Sequence, residues 1–220
     1  MRFFTLDAPG VISAIALGLA VLILGGAAGP YFLFALLLFL VLSAAVTELG
    51  RVKKQGIGQY EKSRGWRNVA ANGTPALAIA AIYFANLSIH FAPYSLLIVA
   101  YASSIAAITA DKFAHEIGIM DGTPITLLTM KKAAKGTSGA VTALGTLAGL
   151  GGALIIGASV LLVYSSLAYA LIIMLAGFLG NVVDTLLGYF EEHGFGNTHT
   201  SNLGCAIAGA LFGLFLVLAV

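Results

Sequence analysis

A chain of 220 residues that is 60% hydrophobic and only 9% charged, with a mean hydropathy of +1.00, is excluded from the soluble class, because a hydrated surface needs far more charge. Its net charge of +2 is too small for a nucleic-acid partner, and a single cysteine, Cys205, excludes an internal disulfide or a thiolate zinc cage. The solvent is lipid, and residues 1–220 read as one all-α, polytopic transmembrane bundle.

Apolar runs of about 17 to 25 residues mark the spans, and they predict seven helices. The first two are Val11 to Ala28 and Tyr31 to Leu49. Arg2 ahead of the first run, with small residues from Gly25 to Gly29, also fits a signal peptide, whereas a second run starting at once fits a hairpin. A polar stretch follows, containing Arg64-Gly65-Trp66-Arg67-Asn68 and Asn72-Gly73, and the third helix is expected at Pro75 to Phe91. Asn-Gly is ordinarily a turn signal, and Trp66 suits an interfacial anchor. The fourth helix runs from Tyr94 to Ile108 and should continue past Asp111 towards Gly118. The fifth is Val141 to Tyr164, with Gly145, Gly149 and Gly152 as a packing face. The sixth is Leu167 to Phe190, and the seventh Leu203 to Val220, preceded by a polar Thr198-to-Asn202 run suited to an N-cap.

Three connections are short and uncharged: Gly29-Pro30, Ala92-Pro93 and Ser165-Ser166. All eleven Lys and Arg fall in the alternate connections or before the first helix, so the positive-inside rule predicts a cytoplasmic N-terminus and an outside C-terminus. Insertion accounts for many of the cations but not for Glu48, Asp111 and Asp184, which sit where the helices are still apolar. A carboxylate there costs about 2.5 to 3.5 kcal/mol at mid-span and less near the interface, which makes it a functional candidate.

Three constellations bear chemistry. Gly177, Asn181, Asp184 and Gly188 share one helical face, which leaves room beside a carboxylate for a ligand or metal, with Asn181 as a neutral partner. Asp111 and His115 share a face, as do Lys112 and Glu116, but Asp111 and Glu116 are five residues apart and diverge on a regular helix. Asp111 and Asp184 from different helices would suffice for Mg²⁺. Lys131, Lys132 and Lys135 with Gly136, Thr137, Ser138 and Gly139 precede a helix N-terminus, a pattern suited to phosphate, although a basic flank of a membrane span reads the same way. The order is not that of a P-loop.

Arg64-Gly65 with Ala71-Asn72-Gly73, Ala110-Asp111 with Glu116-Ile117-Gly118, Lys131-Lys132 with Gly136 to Val141, and Gly180 with Val183-Asp184 to Gly188, in that order, resemble the DUF92 membrane proteins. That family is similar to a wider group of CTP-using membrane enzymes. The resemblance implies a prenyl monophosphate substrate, a nucleoside triphosphate donor of the CTP type, and Mg²⁺. It further implies Asp111, Glu116 and Asp184 as metal residues, with Lys131 and Lys132 catalytic beside the two aspartates. For nucleotide and phosphate it points to Asn72, Gly73, Gly136, Thr137, Gly139 and Asn202, to which the reading of the residues themselves adds Arg67, Lys135 and Asn181. Lys112 and His115 stand where the family pattern has Thr and Ser. The expected activity is CTP-dependent prenyl-phosphate kinase at the cytoplasmic membrane face. A cytidylyltransferase making a CDP-lipid and a lipid or solute transporter are the alternatives, and homo-oligomerisation is left open.

Overall fold

A computed structural model describes residues 5–60 and 63–219. Arg2, Glu61, Lys62 and Val220, used above for orientation or for the end of the last helix, lie outside these residues. Seven long helices form among the described residues: α1 (Ala8–Leu24), α2 (Gly29–Glu48), α4 (Trp66–Ile89), α5 (Tyr94–Gly118), α6 (Ala143–Ser159), α8 (Leu167–Glu192) and α9 (Thr198–Ala219). Two short helices join them, α3 (Arg51–Gly56) after α2 and α7 (Leu161–Tyr164) after α6. Among the described residues five segments are long and apolar enough to cross a membrane, and α1 is a shorter apolar helix. The bundle is all-α, as the apolar runs predict.

The helices stop and start for local reasons. Asp7 caps α1 by accepting from the Gly10 amide at 2.8 Å. A one-turn 3-10 segment, Gly26–Ala28, reverses the chain into α2, and a Cβ at Gly29 would lie 2.1 Å from the Leu22 carbonyl. Thr142 caps α6 and Ser166 caps α8 in the same manner as Asp7.

Two expected boundaries are wrong. Asn72-Gly73 is not a turn, and α4 begins at Trp66, nine residues before the expected start at Pro75, which is accommodated within the helix. The burial of Ala71, Ala76 and Ala80 and the close fit of Gly73 against Leu17 of α1 override the local turn preference. Likewise the 198–202 run is not a loop but the first turn of α9.

Helix α5 is the axis of the bundle, packed by α2, α4, α6, α8 and α9. Nearly every residue from Leu97 to Ala110 is buried, and the alanines and serines there let five neighbours approach. Glycines on the partners complete the fit: a Cβ at Gly177 or Gly180 of α8 would lie 2.6 Å from Ala106 or Ala107, and one at Gly213 of α9 would overlap Ser103. Two short strands, β1 (Ile125–Thr126) and β2 (Ala140–Val141), pair antiparallel between α5 and α6, with Ile125 opposite Val141.

The chain alternates direction, so the C-terminal ends of α2, α5 and α8 meet the N-terminal ends of α1, α4, α6 and α9 at one pole. The two-strand hairpin and α3 cover that pole. The short uncharged turns lie at the other, where Tyr31 of α2 reaches Ser159 of α6 at 3.1 Å.

Candidate functional site

A cavity of about 460 Å³ opens at the charged pole. Its walls are α4 (Asn68, Asn72), α5 (Asp111, Lys112, His115), α8 (Asn181, Asp184, Thr185, Gly188) and α9 (Ser201, Asn202). The loop Gly136 to Thr142 and the Gly58-Gln59-Tyr60 stretch line it from the hairpin side.

Two carboxylates from different helices come together in it. Asp184 lies close enough to Asp111 to feel its charge, while its Oδ1 is buried with no hydrogen-bond partner. Like charges so close are unfavourable unless a proton or a cation is shared between them. An orphaned carboxylate oxygen beside a second carboxylate is therefore a donor set that fits a hard divalent cation, which needs only one or two protein carboxylates when phosphate and water supply the rest.

The glycines flanking Asp184 also let neighbouring backbone approach. A Cβ at Gly177 would meet Ala106 of α5, and one at Gly188 would lie 2.7 Å from the Gly139 amide nitrogen. Gly177 admits α5, and Gly188 admits the loop while lining the cavity. Asn181, buried and one turn from Asp184, lines the cavity and lies against α6 at Gly149, whose Cβ would come within 3.0 Å of its Nδ2.

Glu116 does not join the aspartates, which corrects the three-acid metal set: among the described residues no three His, Cys, Asp or Glu side chains gather as a metal group. It is instead enclosed by cations, with Lys54 Nζ at 2.6 Å, Lys112 Nζ at 2.7 Å and an Arg64 nitrogen at 3.7 Å. Thr47 donates at 2.8 Å to Oε1, the oxygen that Lys112 and Arg64 also face, while Lys54 holds Oε2. The five-residue offset that separates Asp111 from Glu116 around α5 is the physical reason. Lys54, fully buried, also donates to the Val46 and Thr47 carbonyls at 2.7 and 3.2 Å, so it caps the C-terminal end of α2. Gly50 makes this feasible: at φ +67° it turns α3 back under α2. Arg64 hydrogen-bonds Ser43 and Thr47 and lines the cavity.

The basic glycine segment divides. Gly136, Thr137 and Gly139 line the cavity, and both glycines need positive φ, +87° and +77°. The loop is clasped between Gln59 and Tyr189, each of which a Cβ on these glycines would strike. Several of its amides are already engaged: Thr137 N donates to Ala134 O, Ala140 N to Thr137 O, and Ser138 N to Glu192 at 2.8 Å. Lys131 and Lys132 are exposed and Lys135 half-buried, and none of the three lines the cavity. Backbone bonds of Lys131 and Ala133 to Thr126 and Pro124 hold the lysines on the outer side of the hairpin.

Asn72 and Asn202 are buried and line the cavity, with Asn72 donating to the Asn68 carbonyl at 2.9 Å. Gly73 packs against α1, and Arg67 is exposed with its guanidinium 5.6 Å from the Trp66 ring centre. Sequence reasoning named Asn68 and Ser201 only within polar runs, and missed Glu191 as a lining residue and Lys54 as a buried cation. Asn68 was detectable, four residues before Asn72 and so on the same face. Glu191 accepts from Thr198 at 2.7 Å and Ser201 at 3.1 Å, tying α8 to α9 at the rim.

The model of the integral membrane protein family DUF92 matches residues 1–213. This chain belongs to the DUF92 family. It is also 36% identical over 213 residues to the uncharacterized membrane protein MJ0933 of Methanocaldococcus jannaschii, covering 96% of this chain and 85% of that one. No solved structure matches. Lys112 is a partner of Glu116 and His115 lines the cavity. Lys112 therefore adds a cation to the cage without entering the Asp111–Asp184 pair.

Proposed function

We propose that this DUF92 protein is a phosphotransferase that converts a prenyl monophosphate to the diphosphate with a nucleoside triphosphate, CTP by family resemblance, at the cytoplasmic face. The observation that carries the reading is the Asp111–Asp184 pair with its buried, unpartnered oxygen inside a cavity also lined by Arg64 and Lys112. Acids for a cation and bases for phosphate on one wall suit a metal–nucleotide. The volume lies within the range of about 300–1,000 Å³ usual for small-ligand sites.

In the transfer, an acceptor phosphate oxygen bonds to the γ-phosphorus, the bond from that phosphorus to the β,γ-bridging oxygen breaks, and the nucleoside diphosphate leaves. A phosphate monoester is largely ionised at neutral pH, with a second pKa of about 6, so the chain need not supply a base. Its task is alignment and charge neutralisation. Asp111 and Asp184 would hold Mg²⁺, which when bound supplies charge neutralisation on the phosphate oxygens. Arg64 and Lys112 attract the anionic groups, Asn72, Asn181 and Asn202 offer neutral hydrogen bonds, and the 136–139 loop closes the cavity on the hairpin side. The positive-inside distribution supports a cytoplasmic placing of this pole.

The test supplies purified protein in lipid with prenyl monophosphate and CTP labelled at the γ- or the α-phosphate. γ-Label in a lipid diphosphate is expected. α-Label in the lipid would establish a cytidylyltransferase instead, and movement of a solute across vesicles with neither label transferred would establish a transporter.

A further inference from the structure

A second, smaller cavity of about 70 Å³ lies on the membrane flank of the first. Its walls come from α1 (Leu17, Gly18), α2 (Leu33, Leu37) and α4 (Gly73), and they are apolar. Of its polar lining residues, Arg64, Asn68 and Asn72 line both cavities, as do Phe39 and Ile108, and Ser43, hydrogen-bonded to Arg64, lines the slot alone. A charged chamber and an apolar slot therefore share one mouth. The slot's outer wall is on a membrane-spanning helix, and Leu37 remains 48% exposed on that wall, so the slot runs out towards lipid.

We propose that this slot binds the carbons next to the phosphate of the acceptor lipid, with the phosphate held at Arg64 in the shared mouth. The inference deepens the phosphotransferase reading and rests on it for the identity of the head group. A phosphate ester presented to Asp111 and Asp184 must carry its hydrocarbon out of a polar cavity, and the slot offers an apolar route beginning at a cation. Its size decides how much of the chain is recognised. At about 70 Å³ against the chamber's 460 Å³ the slot is small, so only the first carbons are gripped and the remainder lies against α2 in the bilayer. The glycines set the width. A Cβ at Gly73 would strike Leu17, and one at Gly18 would come within 3.3 Å of Leu33. Recognition should thus be sensitive to bulk near the phosphate and insensitive to chain length.

The experiment is photolabelling of the full chain in nanodiscs with a prenyl monophosphate that carries a diazirine beside the phosphate, with adducts mapped by peptide mass spectrometry. Adducts are expected on the α1 and α2 faces around Leu17, Leu33 and Leu37, and excess unmodified prenyl monophosphate should suppress them. Ala14→Phe, which plugs the slot from α1, should weaken that competition about tenfold, what burial of one or two methylenes supplies. Leu37→Trp does the same from the exposed side and guards against a folding failure of the first variant. Adducts spread evenly over lipid-facing positions such as Leu154 and Leu211, or adducts that the competitor leaves unchanged, would overturn the slot. Specific labelling without γ-phosphate transfer would keep the slot and sink the kinase, whereas γ-transfer with scattered labelling would do the reverse.

Discussion

Asp111 and Glu116 lie five residues apart near the same end of α5, yet their surroundings are opposite. Glu116 is closed in by three cations and a threonine hydroxyl, all within the protein. Asp111 meets another carboxylate, and the partner's Oδ1 is left buried and unpartnered. The Glu116 carboxylate is satisfied without any outside molecule, with Arg64 and Lys112 still lining the cavity as surplus cations, while the aspartate pair is left short of positive charge. A buried charge that the fold itself neutralises suits a structural role, and one that the fold leaves short of a counter-charge suits the proposed cation site. The two regions should therefore fail differently when cut.

The largest effect is expected at the cage. Glu116→Gln leaves Lys54 buried without its carboxylate and should cost ~3–5 kcal/mol of stability, the usual result of breaking a buried ion pair from one side. Thermal unfolding in detergent reads it, and adding Lys54→Met should recover part of the loss. An unchanged melting temperature for Glu116→Gln would end the structural assignment.

Asp184→Asn should do the opposite. An amide in place of an orphaned carboxylate relieves like-charge repulsion, so the melting temperature should hold or rise, while γ-phosphate transfer falls by about 10²–10³-fold, ~2.7–4 kcal/mol. Loss of fold with loss of activity would place Asp184 with Glu116.

The pair alone also makes a prediction about metal. Mg²⁺ at a hundred times its dissociation constant should stabilise the wild-type protein by ~2.7 kcal/mol, with no such gain for Asp111→Asn or Asp184→Asn. Equal shifts in all three proteins would remove the ion from this site.

How far these differences could be read beforehand depends on what fixes them. The seven long helices and the continuation of α5 to Gly118 follow from apolar run length, which is local, whereas the meeting of Asp111 with Asp184 depends on the packing of α5 against α8. Lys54 is different: it is one of several lysines in a polar linker, and its burial depends on the chain reversal at Gly50 that brings α3 under the end of α2. Asn72-Gly73 carries a strong local turn signal, but Leu17 and the buried alanines of α4 are tertiary facts. Gly177 and Gly188 look alike as spacers around Asp184, and only the approach of α5 and the 139 amide reveals what occupies the space.

The smallest effect is expected where sequence proximity misleads most. Lys131 and Lys132 stand a few residues before the glycines that line the cavity, which made them candidates for stabilising the transferred phosphate. The hairpin breaks that continuity: Thr126 N binds the Lys131 carbonyl at 2.8 Å and Ile125 bridges to Lys132, so this backbone edge is pinned to β1 and both side chains are exposed. Lysines in water attract a nucleotide only through a screened field, which falls away over a Debye length of about 8–10 Å. A Lys131→Ala, Lys132→Ala double variant should therefore lower kcat/KM less than about threefold, ~0.65 kcal/mol, mostly through KM and with the difference vanishing at high salt. A drop in kcat comparable to that of Asp184→Asn would mean that the hairpin swings these lysines into the cavity during turnover, and the division between the clasped glycine loop and its basic flank would no longer hold.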